Sequence, residues 1–280
     1  MTHYLVDVSW MLYRGYFATQ NIWTEYPELH FLAKKIDSWL SGTENIVHLC
    51  LDGYNIKGKQ LLGENYKAGR HQEGGYNVYS GLSSFIHLLN HPRIKIYYGT
   101  TYESDEIIFT LSRTLDGRKK IVSGDKDIFQ ALKKDVVIDN GKDYVITEES
   151  YKLEYADKFF EIEPYRLPLY RAIVGDPSDT LKPPVPRFPH KLAARFAKQI
   201  EYTGNVPTVA QITSFKDQCN NTELKWIDRL VEAYKSFEIN FDIMKLNVIN
   251  ESKLNDEYKY QCVELSDFLT SKILKLNEIK

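Results

Sequence analysis

The 280-residue chain has only three cysteines, Cys50, Cys219 and Cys262, and no two of them form a CxxC pair. That scatter excludes a disulfide framework and a cysteine zinc site, and it fits a reducing, intracellular setting. The seven histidines show no metal-ligand spacing, and neither a Ser-His-Asp nor a Cys-His set suggests a covalent intermediate. No run of 18 apolar residues exists, so no membrane span is expected. The opening stretch meets an acid at Asp7 before a signal-like apolar core forms. An excess of basic charge is also missing: Lys plus Arg is 36 and Asp plus Glu is 38, a formal net charge of −2. On its own this argues against a simple basic nucleic-acid-binding domain. What is present is an ordinary globular composition, 43% hydrophobic and 26% charged, which excludes disordered and fibrous classes. A chain of this length builds a core without staples. The 20 tyrosines serve core and half-buried surface, with stacking on bases as a further use.

Along the first 150 residues, short branched apolar runs alternate with amphipathic stretches. The runs at Tyr4–Val6, Ile46–Leu51, Ile94–Tyr98, Lys120–Gly124 and Val136–Ile138 read as buried strands. Between them, helices are expected over Glu28–Leu40, Tyr79–Leu89, Asp105–Leu115 and Asp127–Lys133. The alternation predicts an α/β fold with a mainly parallel twisted sheet and flanking helices. From about residue 181 the character changes. Lys182-Pro183-Pro184-Val185-Pro186-Arg187-Phe188-Pro189 cannot be helix interior, because proline lacks the donor and fixes φ. Beyond it, helices are expected over His190–Glu201, Thr208–Cys219, Thr222–Tyr234, Ile239–Leu246 and Asp256–Leu276.

Three strands finish directly in aspartate, at Asp7, Asp52 and Asp125, and the carboxyl edge of an open parallel sheet is where ligands bind. Asp139, beside Asn140-Gly141, reads instead as a turn former. Further acids are spaced along the chain: Glu103, Asp105, Glu106, Asp127, Asp176 and Asp179. Gathered in one crevice they would repel unless a cation neutralised them. All-oxygen ligands favour Mg²⁺ or Mn²⁺ over zinc, and acid clusters holding two metal ions serve in-line displacement at phosphorus. Any single DxD or ExDE is equally a pair of solvated loop acids.

The order of the blocks carries a family resemblance. Leu5-Val6-Asp7 with Tyr13-Arg14, Leu51-Asp52-Gly53 with Tyr66-Lys67-Ala68-Gly69-Arg70, and Tyr102-Glu103-Ser104-Asp105-Glu106 resemble the opening blocks of the flap endonuclease and 5′→3′ exonuclease family. That family includes bacterial polymerase I N-terminal domains and phage 5′ nucleases of the ribonuclease H type. Ile121 to Gln130 is similar to its (S/T)xDKDxxQ block and Tyr170 to Asp179 to its GDxSDN block, so the match spans roughly residues 4 to 200. The resemblance implies a PIN-like nuclease core over residues 1–180 and a helical, DNA-binding C-terminal subdomain over 181–280. It implies a Mg²⁺-dependent phosphodiesterase using two or more ions, with Mn²⁺ as a substitute. The substrates would be DNA 5′ ends, 5′ flaps, RNA primers or RNA–DNA hybrids in replication. By position, Asp7, Asp52, Glu103 and Asp105 would form one ligand group, with Glu106 adjoining, and Asp125, Asp127, Asp176 and Asp179 the other. Lys67 and Arg70 would grip the scissile phosphate, with Tyr66 stacking beside it, and Arg14 and Arg171 would face substrate phosphate. A bacterial or phage setting is implied, in the cytoplasm (the host's, if phage-encoded). The chain would act as a monomer, with a polymerase or single-strand-binding protein as partner.

The chain departs from the family pattern in two places. Glu106 stands where aspartate is usual. After Asp179 the family's glycine-rich hairpin is replaced by a proline-rich one, which argues against its K⁺ site and its cradle of backbone amides. Lys182, Arg187 and Lys191 offer basic groups for duplex phosphates instead, while Arg195 and Lys198 are equally a solubilising helix face. Between Arg70 and Arg93 the Gly74–Gly81 stretch predicts a small arch carrying aromatics, ordered mainly when DNA is bound. The alternatives are a PIN-type ribonuclease, against which the Tyr66–Arg70 block and the long helical part argue, and an inactive DNA-binding relative, which would have lost ligands. With the nine acids of the proposed crevice set aside, bases outnumber the remaining acids by seven, so the net charge no longer argues against nucleic acid.

Overall fold

The computed structural model describes residues 1–19, 25–53, 56–63, 77–99, 101–142, 144–155 and 158–250. Tyr66, Lys67, Arg70, most of the expected arch and the helix expected over Asp256–Leu276 lie outside the described residues. Five strands, β1 (Thr2–Asp7), β2 (Ile46–Leu51), β3 (Ile94–Tyr98), β4 (Arg118–Val122) and β5 (Val136–Asp139), form one sheet in the order β3-β2-β1-β4-β5. Every pairing is parallel, and the register aligns Val6 with Leu49 on one side and with Val122 on the other. All five are the strands expected from the sequence.

The three central strands, β1, β2 and β4, bury both faces, as a parallel sheet covered by helices requires. Val6, Leu49 and Val122 face one apolar cluster with α1 (Val8–Ala18), α2 (Pro27–Leu40) and α4 (Leu82–Leu88). Their neighbours Leu5, Cys50 and Ile121 face the other, with α5 (Ser104–Thr114), a 3-10 turn over Asp127–Ala131 and α6 (Glu148–Tyr155). The short α3 (Lys57–Leu62) follows β2. In the order of the sheet, β1 is central: the chain builds outward to β3, then returns across β1 to lay down β4. The reversal between β1 and β4 opens a crevice at their carboxyl ends.

Four α-helices went unread in the sequence, α3 and α6 among them. In α1, Asp7 ends the strand and caps the helix in one residue, accepting from the Trp10 amide, so no loop marks the boundary. The fourth, α7 (Leu167–Val174), starts with Pro168 in its first turn, where the missing amide costs nothing. The C-terminal helices α8 (His190–Gln199), α9 (Val209–Ser214), α10 (Asn221–Glu232) and α11 (Tyr234–Met244) follow. Capping boxes start two of them, Thr208 with Gln211 and Asn220 with Glu223. Where a helix was expected over Ile239–Leu246, α11 begins five residues earlier, at Tyr234. The proline-rich stretch is irregular, as expected, and is pinned by buried Leu181, Val185 and Phe188. Asn240 clamps it to α7 through hydrogen bonds to the carbonyls of Lys182 (2.9 Å) and Ala172 (3.1 Å). One apolar cluster runs without a break from Leu5 in β1 through Ile173 in α7 to Phe241 and Ile249. The helical part therefore shares its core with the sheet.

Candidate metal centre

At the carboxyl ends of β1, β2 and β4 lies a cleft of about 300 Å³ lined by Asp7, Asp52, Glu103, Asp105 and Asp125, with Ser9, Trp10, Tyr13, Tyr79, Ser104 and Gly124. Asp7 sits at its floor, 7% exposed. Besides capping α1 it accepts from Ser123 Oγ (2.9 Å) and Ser104 Oγ (3.3 Å). Burial, with the charge of Asp52 added, pushes the Asp7 carboxyl up to about 7. Asp52 is exposed and held from two sides, by the Ser9 hydroxyl and by the Ser104 amide at 2.7 Å. Asp125 follows β4 and accepts from the Asp127 amide (2.9 Å). Gly124 is required there by close approach, since a Cβ would lie 2.2 Å from Trp10 Nε1.

Glu106 is not among the residues lining the cleft. It is the third residue of α5 and its carboxylate accepts from the Glu103 amide (3.2 Å), closing a capping box with Glu103. Glu103 lines the cleft while its side chain and that of Glu106 together fix the start of α5. Asp139 is a turn former, as expected, accepting from the Gly141 amide (3.0 Å) and pairing with Lys120 (2.9 Å).

Asp127, Asp176 and Asp179 form a second group, each 6% exposed, with ligand oxygens all within 4.8 Å of one another. Asp176 and Asp179 come together through a 3-10 turn over Pro177–Asp179 that the Asp176 side chain caps. Gly175 enters that turn at φ +76°, and a Cβ on it would lie 2.5 Å from the Leu181 carbonyl oxygen. Asp125 couples the two groups, since its charge bears on both Asp7 and Asp127.

Arg171 departs from its expected place. Its guanidinium does not face outward toward substrate phosphate but lies inside the second group, 13% exposed, hydrogen-bonded to Asp127 Oδ1. Its other nitrogen meets Asp176 Oδ2 as an ion pair without hydrogen-bond geometry. Burial raises the Asp127 carboxyl to about 7 in spite of Arg171. The physical reason is topological: α7 runs into the acid-bearing turn, and three buried carboxylates attract a cation from the nearest helix. Arg14 is likewise engaged, stacked on Trp10 at 5.2 Å and donating to the Gly141 carbonyl at 2.8 Å. Lys182, Arg187 and Lys191 are exposed and form no ion pair among the described residues. Arg195 and Lys198 instead pair with Glu223 (2.8 Å) and Glu161 (3.8 Å).

Sequence reasoning placed Tyr79 among the aromatics of the expected arch, and it gave no role to the three serines that support the cleft. Ser9, Ser104 and Ser123 hold its carboxylates. Tyr13 and Tyr79 meet edge to face at its mouth, ring centres 6.1 Å apart. Each serine stands within two residues of an acid that was singled out, which is the only signal they give.

Residues 2–157 match the family described as 5′-3′ exonuclease, N-terminal resolvase-like domain. DNA polymerase I of Bacillus caldotenax is 28% identical over 158 residues, 55% of this chain and 18% of that protein. The thermostable DNA polymerase I of Thermus thermophilus is 26% identical over 204 residues, 70% of this chain and 24% of that protein. The chain therefore spans at most about a quarter of the length of these curated relatives. Among solved structures, the T5 D15 protein co-crystallised with metal ions matches with a TM-score of 0.66 at 15% identity, over 99% of both chains. The bacteriophage T5 D15 flap endonuclease in a pseudo-enzyme–product complex with DNA and metal ions matches with a TM-score of 0.65 at 15% identity, over 99% of this chain and 100% of that one. These two likenesses establish the fold.

Proposed function

The chain belongs to the 5′-3′ exonuclease family, and from that premise we propose that it is a Mg²⁺-dependent nuclease hydrolysing phosphodiester bonds at DNA 5′ ends, 5′ flaps or RNA primers. One observation carries the reading: five carboxylates converge at the switch point of the sheet, and the buried one, Asp7, has its pKa raised to about 7. Such a site is short of positive charge, and its hard oxygen donors suit Mg²⁺, with Mn²⁺ as a substitute. Asp7, Asp52, Glu103, Asp105 and Asp125 are the residues that would hold the ion. A divalent cation bound there supplies a nucleophilic water at neutral pH and polarises the phosphate.

The chain's own residues do the rest. Ser9, Ser104 and Ser123 fix the carboxylate oxygens in place, so that little reorganisation accompanies the reaction. Tyr13 and Tyr79 give the cleft mouth an aromatic rim against which a base can stack. Lys67, Arg70 and Tyr66 are assigned to the scissile phosphate on the family pattern, and the exposed Lys182, Arg187 and Lys191 to duplex phosphates. No helix among the described residues is long and apolar enough to cross a membrane. A cytoplasmic monomer working beside a replication polymerase or single-strand-binding protein is the setting we propose.

The deciding experiment is cleavage of a labelled 5′-flap duplex in Mg²⁺ by the wild type and by Asp125→Asn. We expect flap cleavage, reduced at least about 100-fold in the variant, because loss of a ligand costs no less than loss of its support. An inert wild type, or an unimpaired variant, would sink the proposal. Circular and 5′-blocked single strands in the same assay separate endonuclease from exonuclease action.

A further inference from the structure

The two acid groups differ in one respect that bears on how many ions the chain binds. Among the described residues, the cleft group has no cationic side chain in its lining. The Asp127–Asp176–Asp179 group contains one. Arg171 reaches it from α7, its guanidinium bridging Asp127 Oδ1 and Asp176 Oδ2, with the side chain 13% exposed. Asp176 Oδ1 accepts from the Ser178 amide (2.8 Å) and hydroxyl (2.6 Å), while Oδ2 faces Arg171 as an ion pair and accepts no hydrogen bond among the described residues. As it stands, this group does not fit a divalent ion. Mg²⁺ needs a nearly regular octahedron of oxygens at about 2.0–2.1 Å, and here two of the three carboxylates already face a planar, permanently charged fork. A second cation beside that fork, in a setting 6% exposed, meets repulsion that solvent does little to screen.

We infer that Arg171 is the resident cation of the second carboxylate group, so that the chain binds one divalent ion tightly, in the cleft, and takes a second only by displacing the guanidinium. The inference rests on the metal reading of the cleft. Neutralising Arg171 removes the competitor and leaves three buried carboxylates in search of a counter-ion. The second group then becomes a true metal site. The balance is electrostatic and steric, so lysine at this position keeps the charge and the single-ion stoichiometry, whereas glutamine does not.

Mn²⁺ binding to the full chain, followed by loss of the free-ion electron paramagnetic resonance signal, reads this without recourse to activity. The wild type and Arg171→Lys are expected to bind one ion per chain in the tight range. Arg171→Gln is expected to bind two, the second at least tenfold more tightly than any second ion in the wild type. Arg171→Gln with Asp179→Asn should lose that additional ion and keep the first, and circular dichroism checks that each variant is folded. Two tight ions in the wild type, or an Arg171→Gln variant that is folded and gains none, overturn the inference while leaving the metal reading of the cleft intact. An unfolded Arg171→Gln variant shifts the decision to the wild type and Arg171→Lys, where two tight ions in either overturn it. A wild type that binds no Mn²⁺ overturns both readings.

Discussion

Asp7 concentrates the chemistry of a single residue. It ends β1, caps α1, accepts from two serine hydroxyls and faces Asp52 across the cleft. Its carboxyl lies near 7 when folded, against 3.8 for the free side chain. Without metal, the folded state therefore gains a proton that the unfolded state lacks as pH falls from about 7 to about 4. That contribution is fully present below the unfolded value and is lost as pH rises through 7. Asp127 has the same sign. Asp7→Asn, unable to charge, should be more stable than the wild type in EDTA above pH 7, by up to about 4 kcal/mol for a shift of some three units. Urea titrations at pH 8 and pH 4 should show the difference closing at the acid end, and saturating Mg²⁺ should reverse it at pH 8. A difference that does not depend on pH would remove this account of Asp7. Gly124 makes a second prediction at this scale. Alanine there drives a methyl group into the Trp10 indole and displaces Asp125, so cleavage should drop about tenfold or more, with an accompanying change in tryptophan fluorescence.

Among the elements, the turn that follows α7 is the most demanding. It must enter at positive φ at Gly175, pass within contact of the Leu181 carbonyl and present Asp176 and Asp179 together. Gly175→Ala meets backbone that cannot give way, and should cost about 1–3 kcal/mol in denaturant midpoint analysis. The strands carry a different titration. His3 Nδ1 and His48 Nε2 lie 2.9 Å apart between β1 and β2, and Tyr97 of β3 continues the chain at 3.3 Å. Burial lowers both histidines, His48 to about 3. Each folded ring is neutral where the unfolded one is charged, so stability is present above about 6.5 and falls as pH drops toward 3. His48→Gln keeps a polar side chain but cannot titrate, and should lose less stability than the wild type between pH 6.5 and 4. The two titrations oppose each other in that range, which is why each is read as a difference between variant and wild type.

For the whole molecule the telling feature is continuity. Gln130, in the 3-10 turn after β4, donates to the Met244 carbonyl (2.9 Å) and accepts from the Leu246 amide (3.2 Å), and the Thr110 hydroxyl accepts from the Ile249 amide (2.9 Å). The segment after α11 is thereby sewn onto the sheet half, and apolar packing between α7 and α11 does the same. We expect one unfolding transition, with tryptophan fluorescence and far-ultraviolet circular dichroism coinciding, and two separated transitions would contradict it. Long-range charge belongs to the same scale. Replacing exposed Lys182, Arg187 and Lys191 together with alanine should weaken duplex binding and lower the log–log salt slope by about 2 to 3. An unchanged slope would take these three residues off the phosphate path.

The sequence by itself determined the strands, their parallel class and the acids at their ends. Those features are written in local chemistry: branched apolar runs of strand length, and carboxylates where such runs stop. The capping boxes at Thr208 and Asn220 and the turn at Asp139 are local in the same way. The first helix escaped notice because Asp7 both ends a strand and caps a helix, leaving no interval in the pattern. Tertiary structure alone decided how the acids divide. Glu106 turned to its own helix cap, Asp7 found Ser104 and Ser123 at separations of 97 and 116 residues, and Arg171 entered the second carboxylate group 44 residues from Asp127. Which cation answers a buried charge depends on what the fold brings within a few ångströms, and spacing along the chain does not encode that distance.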